Sequence, residues 1–165
     1  MRTAIILLSA ITLTSCVKKT VEYRPPTTAP AVLHTEALGR VVEVGSDPTT
    51  WLALESLSGG QTRLSGSGSA MLRAVPGAIV WVSGNRTATE IMVDVFEVRR
   101  VGELEVDDGI VVAATNGVEL RLRNGTTRPV PLATPALRAI AGARVWISRP
   151  VDGVTPSYGV IAARP

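Results

Sequence analysis

Leu72-Arg73-Ala74-Val75-Pro76-Gly77-Ala78-Ile79-Val80-Trp81-Val82-Ser83 returns about 65 residues later as Leu137-Arg138-Ala139-Ile140-Ala141-Gly142-Ala143-Arg144-Val145-Trp146-Ile147-Ser148. A match this long marks an internal duplication, and a duplication sets the unit of architecture before any element is assigned. Inside each copy the stretch reads as a short helix followed by a strand. Ser69 and Thr134 stand where N-caps belong, Pro135 suits a first helical turn, and Gly77 and Gly142 follow where a helix stops. Beyond the glycine, Val80 and Val82 recur at period two, as do Val145 and Ile147. Those four side chains are expected to face a core, and Trp81 and Trp146 then point outward from equivalent strands.

The match extends backwards. Gln61-Thr62-Arg63 aligns with Thr126-Thr127-Arg128, Leu52-Ala53-Leu54 with Leu120-Arg121-Leu122, and Gly39-Arg40-Val41-Val42 with Gly109-Ile110-Val111-Val112. The register drifts in loops: the first copy uses Gly45 to Thr50 and Ser56 to Gly60 where the second has Asn116-Gly117 and Asn124-Gly125. Asn-Gly pairs are strong hairpin signals because both residues tolerate positive φ. Expected strands in the first copy are 39–44, 50–55, 61–64, 78–83 and 91–98, with a helix over 70–75. In the second they are 110–114, 118–123, 126–132, 143–148 and 158–162, with a helix over 135–140. Val118, Leu120 and Leu122 alternate with Glu119, Arg121 and Arg123, the pattern of a sheet with one wet face.

Three strands, a short helix and two further strands resemble the OB fold, in particular small exported bacterial OB-like domains, over about 39 to 100 and 109 to 163. The resemblance implies an all-β chain with one short helix per repeat and two tandem small OB-like five-stranded barrels, 38–101 and 102–165. It rests on no signature motif, so it implies architecture and no activity. An SH3-like barrel, or one continuous sandwich made from both copies, fits the same pattern. Arg99 to Asp108, with Glu103, Glu105, Asp107 and Asp108, reads as either an extension of the last strand of copy one or a charged connector.

Ahead of the duplication stands a leader. Arg2 precedes a mostly apolar run from Ala4 to Leu13, far shorter than the roughly 20 residues that span a bilayer as a helix, so residues 1–15 read as a signal peptide. Leu13-Thr14-Ser15-Cys16 resembles the lipobox of bacterial lipoproteins, which implies that Cys16, the single cysteine, is lipidated and becomes the new N-terminus. The partner so implied is a membrane, held through acyl chains such as palmitate whose methylenes each contribute about 0.8 kcal/mol. Val17 after the cysteine resembles the pattern of lipoproteins sent to the outer membrane, facing the periplasm, in a double-membraned cell envelope. Residues 16–37 read as a Pro/Thr-rich flexible tether: Lys18 and Lys19 lie beside the lipid, Pro25, Pro26 and Pro30 interrupt any ladder, and no apolar periodicity survives. The one histidine, His34, falls in this segment and reads as solvated.

Seventeen Lys and Arg stand against 14 Asp and Glu. Without Arg2 the excess is two, too small for the basic field of a nucleic-acid binder, and no nucleic acid is expected. One Phe, two Tyr and three Trp rule out a large aromatic core.

The residue inventory also speaks against catalysis. Neither repeat is expected to hold a histidine or a free thiol, and no serine lies in a Gly-x-Ser-x-Gly setting; Gly66-Ser67-Gly68-Ser69 reads as a loop leading to a cap. Asp107-Asp108, Asp47 and Asp152 read as solvated turn residues. No catalytic residue, metal ligand or cofactor is assigned.

Binding is the stronger expectation. Trp81 and Trp146, with Arg144 beside Trp146, are either packed against the neighbouring repeat or exposed as stacking platforms for a ring-bearing ligand such as a glycan. Arg121, Arg123 and Arg128 cluster around Asn124-Gly125 and read as a solvated strand face or as a patch for an anionic envelope polymer or lipid headgroup. The expected function is that of a membrane-anchored envelope lipoprotein, a non-catalytic binding or structural module with an envelope protein or cell-wall polymer as partner. Recognition of a cell-wall glycan or peptide is the alternative within binding, and a hydrolase with an unrecognised site is the alternative outside it.

Overall fold

A computed structural model describes residues 32–164, so the leader, Cys16 and the tether up to residue 31 lie outside the described residues. The first copy contributes β1 (Leu33–Val44), β2 (Trp51–Ser56), β3 (Gln61–Ser65), α1 (Ser67–Leu72), β4 (Ile79–Arg86) and β5 (Glu90–Val101). The second contributes β6 (Leu104–Ala114), β7 (Gly117–Leu122), β8 (Thr127–Pro129), α2 (Pro135–Ala139), β9 (Arg144–Ser148) and β10 (Tyr158–Ala162). The chain is thus all-β, mostly antiparallel, with one short helix in each copy among the described residues.

The pairings repeat. β1 pairs with β2 and with β4, β2 with β3, and β4 with β5, all antiparallel; β3 pairs with β5 in parallel, so each of the five strands has a partner on both sides. In the second copy β6 pairs with β7 and β9, β7 with β8, and β9 with β10, but β8 and β10 do not pair. The stretch that would complete that pairing is the loop from Arg149 to Ser157. Pro150 and Pro156 interrupt the ladder there, as Pro129 and Pro131 do on the β8 side, because proline brings no N–H.

Equivalent positions carry equivalent contacts. Gly39 opposes Val80 and Gly109 opposes Val145. A Cβ on Gly39 would stand 2.5 Å from the carbonyl oxygen of Glu55, and one on Gly109 would stand 2.5 Å from that of Arg121, so the close strand approach requires glycine at both sites. The amide of Val41 donates to Ala78 and the amide of Gly77 to Val41, at 2.9 and 2.8 Å; Val111, Ala143 and Gly142 repeat this at 3.0 and 2.8 Å.

Several boundaries differ from the sequence expectation. β1 begins at Leu33, so residues 33–37, expected in the tether, extend the strand along β4, with Ala37 opposite Val82. His34 therefore lies inside the first copy, its Nε2 3.3 Å from the Ser83 hydroxyl. Ser69 is not a cap: α1 starts earlier, at Gly66, and the Ser69 hydroxyl donates back to the Gly66 carbonyl at 2.8 Å. Thr134 is the cap expected of it, accepting from the Leu137 amide at 3.2 Å. The strand register places Leu54 and not Leu52 at the position of Leu120, and Thr62 at that of Arg128. Ser56 to Gly60 and Leu122 to Thr126 then form the same turn, closed by Ser56 to Gly60 and Leu122 to Thr126 backbone bonds of 3.0 and 2.8 Å. Among the connections that change length between copies are β1–β2, residues 45–50 against 115–116, and β4–β5, residues 87–89 against 149–157. Arg99 to Asp108 is no connector: β5 and β6 run into it from both sides as a hairpin turning at Gly102-Glu103.

Two clusters of buried side chains fill the molecule, and the alternation predicted from Val80, Val82, Val145 and Ile147 is observed, all four being buried. Phe96, Leu72, Ile91 and the valines of β4 and β5 centre the first cluster; Leu137, Val111, Leu120 and Val145 centre the second. The first also takes in Val106 and Ile161 from the second copy, so the two copies share apolar packing.

Candidate functional site

The candidate residues gather at the seam between the copies. After Arg100 pairs with Glu105 and Val101 with Leu104, β6 leaves β5 and enters its own sheet. That departure exposes the ladder edge of β5 at Phe96 and Val98, whose carbonyl and amide need partners. Side chains supply them: the Val98 amide donates to Asp108 Oδ2 at 2.9 Å, and Arg144 Nη2 donates to the Phe96 carbonyl at 2.7 Å. Arg144 also grips Asp108 through two bonds of 2.8 Å, Nε to Oδ1 and Nη2 to Oδ2, with its guanidinium carbon 4.1 Å from the centre of the Phe96 ring. An ion pair thus continues a ladder that the backbone has left. The carboxylate side chain is 2% exposed and the guanidinium side chain 24%.

Two expectations are corrected by this geometry. Asp107-Asp108 is not a solvated turn: both lie on β6, Asp108 is buried, and Asp107 accepts from Arg128 at 2.7 Å with Arg149 at 3.6 Å. Arg144 is not a free cation beside an exposed tryptophan, because its donors are committed to Asp108 and Phe96. Trp146 is half-buried and packs against the first copy's core.

Trp81 is placed differently. It stands on the outer face of β4, opposite Leu38 on one side and Glu97 on the other, and Arg123 from the β7–β8 turn lies over its ring at 4.9 Å. Register carries Arg121 to the same seam, since Arg144, Ile110 and Arg121 oppose one another across β9, β6 and β7. Ile110, Arg121, Arg123 and Arg144 border a cleft of about 350 Å³ whose other wall is Val95, Phe96 and Glu97 of β5. Of the six candidate surface residues, Trp81, Arg121, Arg123 and Arg144 thereby meet at one seam. Arg128 sits on another side with Asp107, and Trp146 is half-buried against the first core.

On the far side of Trp81 a second cleft, of about 510 Å³, is lined by Leu38, Leu57, Ile79, Arg99, Arg100, Glu105 and Arg149. Leu38 and Leu57 were not singled out from the sequence. They are 45% and 67% exposed. The signal that could have found them is the comparison of copies in the structural register: Leu38, Leu57 and Ile79 occupy the positions of Asp108, Arg123 and Arg144. The face that seals the second copy onto the first is, in the first copy, apolar and open.

A larger groove of about 870 Å³ lies between the β6–β7 turn and the loop before α2, with Glu119 and Arg138 its charged lining residues. It brings no candidate residue together. His34 and Ser83 adjoin, but among the described residues no carboxylate is hydrogen-bonded to His34 and Ser83 is 8% exposed, which leaves the pair without the third, orienting group of a nucleophilic site. Compared with known protein families, curated proteins and solved structures, the chain matches none.

Proposed function

We propose that the chain is a membrane-anchored envelope lipoprotein whose two tandem OB-like five-stranded barrels, β1–β5 and β6–β10, form one non-catalytic binding or structural module. The barrel reading is supported by the pairing order β1-β2-β3-β5-β4-β1 in the first copy and by the same order, short of one parallel pair, in the second. The anchor reading is supported by Leu13-Thr14-Ser15-Cys16 and its apolar leader. The observation that carries the binding reading is the open Leu38, Leu57, Ile79 and Trp81 face, because its counterpart in the second copy is a protein interface. Recognition of a cell-wall glycan or peptide draws on the same face, through the partly exposed Trp81 ring beside free guanidinium groups.

The test compares membranes carrying the intact lipoprotein, a Cys16→Ala form, and a Trp81→Ala form of each, cross-linked and purified for identification of retained proteins and glycans. Cys16→Ala is expected to leave the membrane fraction on washing at about 1 M salt, where the acylated parent stays, and Trp81→Ala to lose material that the parent retains. Salt-resistant membrane retention without Cys16 would remove the anchor, and an unchanged retained set in Trp81→Ala would remove the face.

A further inference from the structure

We infer that the open face of the first copy lies against an anionic phospholipid surface, with Leu38, Leu57, Ile79 and Trp81 at the headgroup boundary and the flanking arginines on the phosphates. The inference deepens the lipid-anchored reading and rests on it.

The face has the composition that such a boundary selects: aliphatic side chains, a tryptophan with one wet end, and arginines whose stems lie along apolar surface while their heads reach water. Its charge is segregated. Residues 32–164 hold 13 arginines, no lysine and 13 Asp or Glu, a net charge of zero. The two clefts flanking Trp81 are lined by six arginines (Arg99, Arg100, Arg121, Arg123, Arg144, Arg149) and three carboxylates (Glu97, Glu105, Asp108). Those carboxylates are engaged by Arg99, Arg149 and Arg144. Arg100, Arg121 and Arg123 have no ion-pair partner among the described residues, and Arg123 rests on Trp81. Unpaired arginines beside exposed leucines complement a negatively charged apolar boundary.

A second copy of the chain fits the face poorly. The corresponding face of the second copy receives a strand edge by hydrogen-bonding its free amide and carbonyl to Asp108 and Arg144. Leu38 and Ile79 stand at those positions in the first copy and would leave such an edge unsatisfied, at a cost of about 1–3 kcal/mol for each buried group. Hydrocarbon makes no such demand. The anchor also keeps the face near lipid: 15 residues lie between Cys16 and Val32, a reach of at most about 55 Å, and the strand that follows carries Leu38.

The experiment uses the chain from residue 16 with Cys16→Ala, so that no acyl group assists, and measures co-sedimentation with vesicles of phosphatidylcholine alone or with about a third phosphatidylglycerol. Binding is expected to the anionic vesicles only, and to fall when salt is raised from about 0.1 to about 1 M, where the Debye length shrinks from about 10 to about 3 Å. Arg100→Gln and Arg123→Gln should each weaken partition roughly fivefold. Leu57→Ser, in an exposed turn where the fold is indifferent to the change, should weaken it roughly tenfold. Equal partition onto both vesicle types, or anionic binding unaltered by Arg100→Gln and Leu57→Ser, overturns the inference. So does absence of vesicle binding together with a soluble envelope protein or glycan whose capture is lost in Leu57→Ser. Fatty-acid labelling of the parent at Cys16 is measured separately, so failure of the face and failure of the anchor are read independently.

Discussion

Removing Asp108 tests whether the seam is held as described. In Asp108→Ala the Arg144 guanidinium loses both its bonds to the carboxylate, and the Val98 amide loses its acceptor on the edge of β5. Breaking a buried ion pair from one side costs about 3–5 kcal/mol, because the remaining charge stays in a poorly solvated place. For the 133 described residues, at roughly 3–4 °C per kcal/mol, the midpoint of thermal unfolding should fall by about 10–20 °C. Arg144→Ala should cost a similar amount, since it strands the carboxylate and the Phe96 carbonyl. The double variant Asp108→Leu with Arg144→Ile installs the first copy's residues and removes both charges. It should sit within about 2 kcal/mol of the parent, the remaining loss coming from the two backbone groups of β5. Circular dichroism melts and denaturant titrations of all forms make a double-mutant cycle, with an expected coupling of at least about 2 kcal/mol. Single variants that each cost under about 1 kcal/mol and simply add would refute the claim that this pair completes the β5 ladder.

Three further outcomes follow from the packing. Trp146→Ala should destabilise by about 3 kcal/mol because the ring packs on the first core, whereas Trp81→Ala should cost no more than about 1.5 kcal/mol, both measured by urea unfolding. Gly39→Ala and Gly109→Ala should each cost about 2–4 kcal/mol, a Cβ standing 2.5 Å from a facing backbone oxygen in both; a stable, unchanged Gly109→Ala would mean that β6 and β7 can separate freely. Thr134→Ala removes the one side-chain cap of α2 and should lower stability by about 1 kcal/mol in the same assay, while Ser69→Ala, lacking a cap bond, should lower it by less.

The duplication made the element order legible, because Val80, Val82, Val145 and Ile147 repeat a strand period in register and the glycine and cap signals around α2 are local chemistry. What escaped the sequence depends on distant partners. Leu33 to Ala37 shows no alternation of its own and becomes strand because β4 extends beside it. Asp108 looks like a turn residue until β6 brings Arg144 opposite Ile110 and the divergence of β5 leaves Val98 in need of an acceptor. Arg123 reads as part of a solvated strand face, and Arg144 as a neighbour of Trp146, for the same reason. The useful trace was the pairwise exchange of Leu38 and Ile79 for Asp108 and Arg144, two apolar residues replaced by opposite charges. It stands in the alignment of Gly39 with Gly109 and of Ile79 with Arg144; the two-residue misregister of β2 and β7 hides only the exchange of Leu57 for Arg123.

The account stands or falls first on Cys16, because the proposed compartment, the membrane partner and the placing of the open face all depend on it. The direct measurement is the intact mass and N-terminal fragment spectrum of the mature protein purified from membranes. The account predicts a chain beginning at Cys16 whose sulfur carries diacylglycerol, and no Cys16→Ala product that stays on membranes through a wash at about 1 M salt. A mature chain that begins elsewhere, or one that keeps Cys16 as an unmodified thiol, would contradict it.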